Sequence, residues 1–465
     1  MNAFAHALLP AAARGLFDDA ALCRAMLDFE SALARAQAEE GLIPADAAEA
    51  IADACAGLVL DAQALTDAAR HGGAMAVPLV AMVTQALQAR GAGDAARHLH
   101  KGATTQDVVD TAQVLMTRAA LAPLLAALQE AIALLRQQAA DHARTPMLAR
   151  TLLQPAQVTS WGLKCAGWLL PLQRSHARLQ ALAAQALALQ LGGAVGNRSA
   201  MGEAGERVAA RMAALLGLAA PVGSWHTQRD TWLRLGLEAA VLAGSLAKIA
   251  KDLALLSQAE VDEVAEGPGP GDAAQGTARG GSSAMPHKRN PVACMQAIAA
   301  CAPVPGIAAT LLATMAQAHE RALGEWQAEV AVWPQLWIQV FGATSAIRDA
   351  LAGLRVNAPR MAANIGRTQG LVHSESLTQA LAEALGPQAA RARIQALGPQ
   401  AVATQTPLPD LLCADASVLA LPPERRAALQ AALHAACDLD RAVEASARQC
   451  WQWLREDGDH PAGLP

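Results

Sequence analysis

QDVVDTAQVLMTRAALAPLLAALQEAIALLRQQAADHA, from Gln106 to Ala143, repeats apolar residues at helical spacing and is interrupted by a single proline, Pro123, which should kink it. A helix over this stretch would reach about 55 Å at 1.5 Å per residue. Helical patterns of similar character run from Ala156 to Leu191, across Pro171, and from Thr227 to Val264, without proline. Helices this long and this apolar cannot bury themselves alone, and burial against partner subunits is the simplest solution. The expected fold is therefore all-α, an oligomer built around a shared long-helix bundle.

Outward from that centre, Asp18 to Glu40 has helical periodicity, and Gly41-Leu42-Ile43-Pro44 ends it with a C-cap glycine and a proline. Shorter helical segments follow to about Arg97. Beyond about Leu351 the helices shorten again, broken at Gly366, Gly386, Pro387, Gly398, Pro399, Pro407 and Pro409. These shifts divide the chain into a helical domain over 1–105, a central bundle over 106–350 and a third helical domain over 351–465. The polar tail from Asp457 to Pro465 reads as disordered.

Composition supports helices: 53% of residues are hydrophobic, yet aromatics are 3% and Tyr is absent. Thirty-six basic and 41 acidic side chains give a net charge of −5 with the arginines scattered, so neither nucleic acid nor an anionic membrane is an expected partner. The uncharged run from Pro291 to Ala318 contains Pro303, Pro305 and Gly306, and reads as a buried bundle helix rather than a membrane span. Met1 to Pro10 has no basic region before its apolar stretch, which points to a cytoplasmic protein. The eight cysteines form no C-x-x-C pair and read as buried free thiols, with no metal and no disulfide framework.

Chemistry concentrates in Gly280-Gly281-Ser282-Ser283-Ala284-Met285-Pro286-His287-Lys288-Arg289-Asn290-Pro291. The glycines and prolines from Gly267 to Gly280 make a mobile loop leading into it, and Asn290-Pro291 reads as an N-cap and N1 proline opening the apolar run Val292 to Ala302. Two hydroxyls, an ammonium, a guanidinium and an imidazole near a helix start suit an anion, although the same residues also make an ordinary polar loop. His100-Lys101-Gly102-Ala103-Thr104-Thr105-Gln106-Asp107 sets a glycine turn and two hydroxyls before the long helix, fit to bind a carboxylate or simply to cap it.

The 281–291 segment resembles the signature loop of the fumarase/aspartase superfamily, Gly-Ser-Ser-x-Met-Pro-x-Lys-x-Asn-Pro, at every specified position. The resemblance implies that Ser282 carries the mobile proton beside a substrate carboxylate, that Lys288 assists it, and that Lys288 and Asn290 hold that carboxylate. His100 to Asp107 resembles the first signature region, which implies that Thr104 and Thr105 bind carboxylate. Arg150 to Gln157 resembles the second region, commonly Thr-His-x-Gln-x-Ala, but Leu152 stands where the histidine belongs. Ala74 likewise replaces a family asparagine after His71-Gly72-Gly73. By the same resemblance His100, Gln154, Gln228, Ser283 and Arg321 are expected to bind substrate. His226 and His319 stay open between site and surface roles.

In lyase branches the missing histidine handles the proton of the leaving group. Hydroxide or nitrogen needs such an acid, whereas a carboxylate departs as a stable anion because its acid has a pKa near ~4. Trp225-His226-Thr227-Gln228-Arg229-Asp230 and His319-Glu320-Arg321-Ala322-Leu323-Gly324-Glu325-Trp326 are similar to segments of the branch that lactonises 3-carboxy-cis,cis-muconate in protocatechuate degradation, which the chain resembles from about Arg14 to about Arg448. That resemblance implies a homotetramer with each site built from three subunits, a small tricarboxylate substrate, and no metal or organic cofactor. A fumarate-releasing lyase such as the adenylosuccinate branch, and a non-catalytic structural oligomer, are the alternatives.

Overall fold

The computed structural model describes residues 9–267, 280–281, 285 and 288–455. The expected loop between Gly267 and Gly280 and the expected disordered tail therefore fall, from 268 to 279 and from 456 onward, outside the described residues. The described chain is helical apart from two short two-stranded sheets, as the composition and spacing predict. It divides into two compact units: residues Met1–Gln129, Arg174–Lys248 and Gln296–Ala346, and residues Glu130–Gln173, Ile249–Met295 and Ile347–Pro465.

After a single helical turn at Ala11–Arg14, the first unit continues with helices α1 (Asp19–Glu39), α2 (Ala45–Gly57), α3 (Ala62–Gly72) and α4 (Ala76–Ala89). Asp18 caps α1 by accepting from Ala21 N at 2.8 Å, which satisfies one of the orphan donors of the first turn. Met26, Phe29, Leu33, Ile51, Leu79, Val83 and Leu87 form a buried cluster that reaches Val108 and Ala112 of α5 (Thr105–Asp141). Each such side chain contributes roughly 1.5–3 kcal/mol by leaving water.

α5 runs on through Pro123 as one helix of 37 residues. It is followed by α6 (Trp161–Ala186), α7 (Gly205–Leu216), α8 (Asp230–Leu256), α9 (Val292–Cys301), α10 (Val304–Ala313) and α11 (Glu325–Ala352). Within the first unit Trp333 Nε1 donates to Thr117 Oγ1 at 2.8 Å, tying α11 to α5, and Ser175 Oγ donates to Glu238 Oε1 at 2.8 Å, tying α6 to α8. Trp232 and Trp333 stack with ring centroids 4.0 Å apart, flanked by Trp225 and Trp337.

The expected single buried helix over 291–318 is instead two helices, α9 and α10, separated at Ala302 and Pro303, where the proline cannot continue an i→i−4 ladder. Only 33% of the apolar window there is buried within the protomer, and Met295, Leu312 and Met315 are exposed. Among the described residues, the stretches Val292–Ala313 and Thr105–Asp141 are long and apolar enough to cross a membrane by length and composition alone.

In the second unit an antiparallel hairpin, β1 (Pro146–Thr151) and β2 (Gln154–Ser160), occupies the residues before α6. The helix expected from Ala156 thus starts five residues later. Pro155 has no N–H to give and disfavours helical geometry at Gln154, so the chain stays extended there. Leu152 and Leu153 form the two-residue tip, with φ +51° and +65°, the left-handed backbone of a tight hairpin turn. Trp161 and Trp168 meet edge to face at 5.5 Å.

The longer helices of the remainder of this unit are α12 (Ala358–Gly366), α13 (Ser374–Leu385), α14 (Pro387–Thr404), α15 (Leu408–Cys413), α16 (Pro423–Ala435) and α17 (Glu444–Arg455), cored by Leu377, Leu381, Leu408, Leu412 and Leu433. The breaks at Gly366, Gly386 and Pro407 occur as expected. Gly398 and Pro399, in contrast, lie inside α14. Six cysteines are buried, while Cys413 and Cys437 are half-buried, and all are free thiols.

Candidate active site

In the first unit the start of α5 is built around Asp107. Its Oδ2 accepts from Thr104 N at 3.1 Å, the reciprocal half of a capping box, and from Gly193 N at 2.9 Å. Its Oδ1 accepts from Gly192 N at 2.8 Å and lies 2.7 Å from His226 Nε2. A fully buried carboxylate therefore holds the Thr104 loop, a glycine loop and an imidazole together. Gly193 has φ +69°, and a Cβ there would sit 2.7 Å from Gly102 O, so the close approach of the two loops excludes any side chain.

Arg321 closes this arrangement from the turn before α11. It donates from Nη1 to Thr104 Oγ1 at 2.8 Å and from Nη2 to the carbonyl oxygens of Gly193 and Ala194 at 3.1 and 2.9 Å. Thr104, Thr105 and Arg321 are all half-buried. A guanidinium and two hydroxyls beside a helix start make a polar cradle whose chemistry suits a carboxylate.

His100 stands beside the cradle with its Nδ1 2.6 Å from Glu30 Oε1, a carboxylate buried in α1. Burial alone would push the imidazolium down, but the hydrogen bond and charge of Glu30, with Asp107 adding to them, hold its pKa above the ordinary value.

Beneath lies a second polar layer. Arg229, 1% exposed, donates from Nη1 to Asp110 Oδ2 at 2.8 Å and from Nε to Glu329 Oε2 at 3.1 Å, and its Nη2 also bonds Glu329 Oε1. Asp110 further accepts from Trp326 Nε1 at 2.8 Å and from Gln106 and Gln190 at 3.2 Å. Burial, with the charge of Asp110 alongside, raises the Glu329 carboxyl above its usual range against the opposing pull of Arg229. Gln228, exposed, accepts from Thr227 Oγ1 at 3.1 Å and lines a cavity of about 480 Å³ with Ser224 and Trp225.

The second unit holds the signature segment. Ser282 and Ser283 lie outside the described residues. The base of the loop is clasped: Asn290 N and Nδ2 both donate to Gly280 O, at 3.0 and 3.1 Å, and Gly281 bridges Arg289. Gly280 has φ +78°, and a Cβ there would meet Asn290 O.

The side chain of Asn290 is thus engaged in the clasp, and the expected N-cap role passes to Glu266, whose carboxylate accepts from Ala293 N at 3.0 Å and Cys294 N at 2.8 Å. The negative charge suits the positive end of α9. Lys288 is exposed and lines a cavity of about 620 Å³ with Glu266, Asp262 and Ser257. Gln154 opens β2 and lines a different cavity, and Leu152 at the hairpin tip is 97% exposed.

Of the residues expected in the site, His100, Thr104, Thr105 and Arg321 thus come together, as do Lys288 and Asn290, while Gln154 and Gln228 line cavities of their own. His226 is resolved as a buried partner of Asp107. Glu30, Asp107 and Glu266 were not singled out from sequence. Asp107, three residues after Thr104, carried a capping-box signal; Glu30 and Glu266 carried none.

The fold that carries these residues, with a 37-residue helix at its centre, is shared by known proteins. A lyase family profile matches residues 10–306. The 3-carboxy-cis,cis-muconate cycloisomerase of Bradyrhizobium diazoefficiens is 45% identical over 423 residues, 91% of this chain and 92% of that protein. The enzyme of the same name from Pseudomonas aeruginosa is 43% identical over 407 residues, covering 88% and 87%. The crystal structure of 3-carboxy-cis,cis-muconate lactonizing enzyme from Pseudomonas putida matches with a TM-score of 0.88 at 37% identity, over 98% of each chain. The chain belongs to the lyase family of the fumarase/aspartase superfamily.

Proposed function

We propose that this chain is a lactonising cycloisomerase that converts 3-carboxy-cis,cis-muconate to 4-carboxymuconolactone, as the relatives' names support. The observation that carries the reading in the molecule itself is Leu152, an apolar, exposed residue at the hairpin tip where other branches place an acid. A carboxylate leaving group needs none.

In the lactonising direction a substrate carboxylate oxygen forms a C–O bond to one carbon of a C=C bond. The displaced electron pair moves onto the neighbouring carbon and its carboxylate, giving an aci-carboxylate dianion, and that carbon then takes a proton. Ser282 holds the proton, Lys288 offsets the developing charge, and Thr104, Thr105 and Arg321 bind carboxylate oxygens. His100, Gln154, Gln228, Ser283 and Asn290 complete the substrate contacts.

The assembly is a cytoplasmic homotetramer in which three subunits contribute to each site, with the three-domain division at 1–105, 106–350 and 351–465. The exposed apolar side chains of α9 and α10 and the exposed tip leucines support association.

Purified protein assayed in parallel by the absorbance of 3-carboxymuconate and of adenylosuccinate separates the readings. Turnover of the muconate alone is expected. Turnover of adenylosuccinate alone would replace this reading with a fumarate-releasing lyase, and turnover of neither with a structural oligomer.

A further inference from the structure

Two buried polar side chains of α1 are spent on the loop that leads into α5. Glu30, 1% exposed, and Gln37, fully buried, belong to a buried set that otherwise consists of Cys, Ala, Met, Leu and Phe. Their separation of two helical turns puts both on one face. Glu30 Oε1 lies 2.6 Å from His100 Nδ1, and Gln37 Nε2 donates to the next residue, Lys101 O, at 2.6 Å. The second oxygen of each, Glu30 Oε2 and Gln37 Oε1, is buried without a partner among the described residues. An apolar side chain would carry no such desolvation cost, so the pair calls for an explanation beyond packing.

His100 is where that explanation leads. It sits in left-handed backbone at φ +57°, with its carbonyl accepting from Ala103 N at 3.3 Å, and strained non-glycine residues collect at functional sites. Its side chain is 20% exposed. A carboxylate only accepts, so the bond to Glu30 places a proton on Nδ1 and leaves Nε2, on the far edge of the ring, without a partner among the described residues. The charged groups around the ring are Glu30 of α1 and Asp107 of α5. Lys101 turns its Nζ to Leu42 O at 3.0 Å, and Arg321 is spent on Thr104, Gly193 and Ala194.

We propose that Glu30 is a positioning residue for lactonisation: it fixes the His100 ring through Nδ1 and keeps it an imidazolium, whose Nε2–H donates to a substrate carboxylate beside Thr104 and Arg321. The inference rests on the lactonising reading and adds to it a residue that never touches substrate. Gln37 holds the same loop by its backbone, so α1 sets both the place and the charge of this donor.

The test is steady-state turnover of 3-carboxymuconate by the parent, Glu30→Gln, His100→Asn and the double variant, with circular dichroism as the check on folding. Glu30→Gln is expected to lower kcat/KM roughly 10-fold or more at about pH 8, and by less at about pH 6, where the ring regains its proton. In the His100→Asn background the same change should cost almost nothing further. A loss equal at both pH values, or equal with and without His100, would overturn the proposal and leave Glu30 a packing residue. His100→Asn leaves Glu30 untouched and stands at a left-handed position that asparagine tolerates. It should fall at least as far as Glu30→Gln at about pH 8, and parental kcat/KM in it would overturn the proposal even if Glu30→Gln did not fold. No turnover by the parent would remove the lactonising reading together with this inference, whereas an active parent with any of the preceding outcomes removes the inference alone.

Discussion

Arg321 and Thr104, 217 residues apart in sequence, are joined by a 2.8 Å bond from Nη1 to Oγ1. Three of the five guanidinium N–H groups are engaged by the protomer's own oxygens, so Arg321 shapes the cradle as well as charging it.

Arg321→Lys is therefore expected to lower kcat/KM by roughly 10- to 100-fold, the value of one or two charge-assisted hydrogen bonds. Thr104→Val should lower it less. The double variant should fall short of the product of the two effects, since both remove the same contact. Strict multiplicativity in steady-state kinetics would mean that the pair does not act as a unit.

His100 and Glu30 give the fold a pH dependence. The folded pKa of His100 is raised above the unfolded value of about 6.5. The pair's contribution is thus fully present below that unfolded value and is lost as pH rises through the folded one. The difference in Tm between parent and Glu30→Gln should be largest at mildly acid pH and shrink toward alkaline pH. A difference that grows with pH would reverse the assignment.

Arg229 holds two buried carboxylates, Asp110 and Glu329. Arg229→Leu leaves both without a cation and should destabilise the first unit by about 3–5 kcal/mol. Urea unfolding measures this, and a loss below about 1 kcal/mol would show that water or neutralised carboxyls replace the guanidinium easily.

Leu152 and Leu153 occupy left-handed backbone that costs β-carbon residues roughly 1–2 kcal/mol each. Asn-Gly in their place should strengthen the hairpin and slow its hydrogen exchange. Turnover should nevertheless fall if the tip meets substrate. Leu152→His, which restores the acid of other branches, should not accelerate lactone formation or its reversal. A marked gain with the oligomer intact would overturn the argument from the leaving group.

Ser282→Ala should abolish turnover while circular dichroism and oligomeric state stay unchanged, and Lys288→Met should lower kcat and weaken binding together. Parental kcat/KM in either variant would remove that residue from the chemistry.

What the sequence disclosed followed period and spacing. Thr105 to Asp141 was legible because a long 3.6-residue pattern tolerates one proline. The hairpin was not, because Thr151-Leu152-Leu153-Gln154 lacks the Asn-Gly or Asp-Gly that marks such turns and its strands are short. Thr104, Arg321 and Lys288 were singled out from motifs. Glu30 was hidden because its partner lies 70 residues away. Asn290 looked like a cap because Asn before Pro usually is one; the competing acceptor, Gly280 O, and the competing cap, Glu266, both come from earlier in the chain.

The tryptophan row has a spectroscopic consequence. The chain has nine Trp and no Tyr, so its near-ultraviolet signal is almost wholly indole. Trp232 and Trp333, stacked at 4.0 Å and 20°, are close enough for their excited states to mix, which gives the contact between α8 and α11 an optical signature of its own. Trp161 and Trp168, edge to face at 85°, supply a second pair of different geometry in the other unit. Each unit thus carries an intrinsic chromophore pair, and a circular-dichroism couplet that vanishes on heating would time the separation of those two helices without any label.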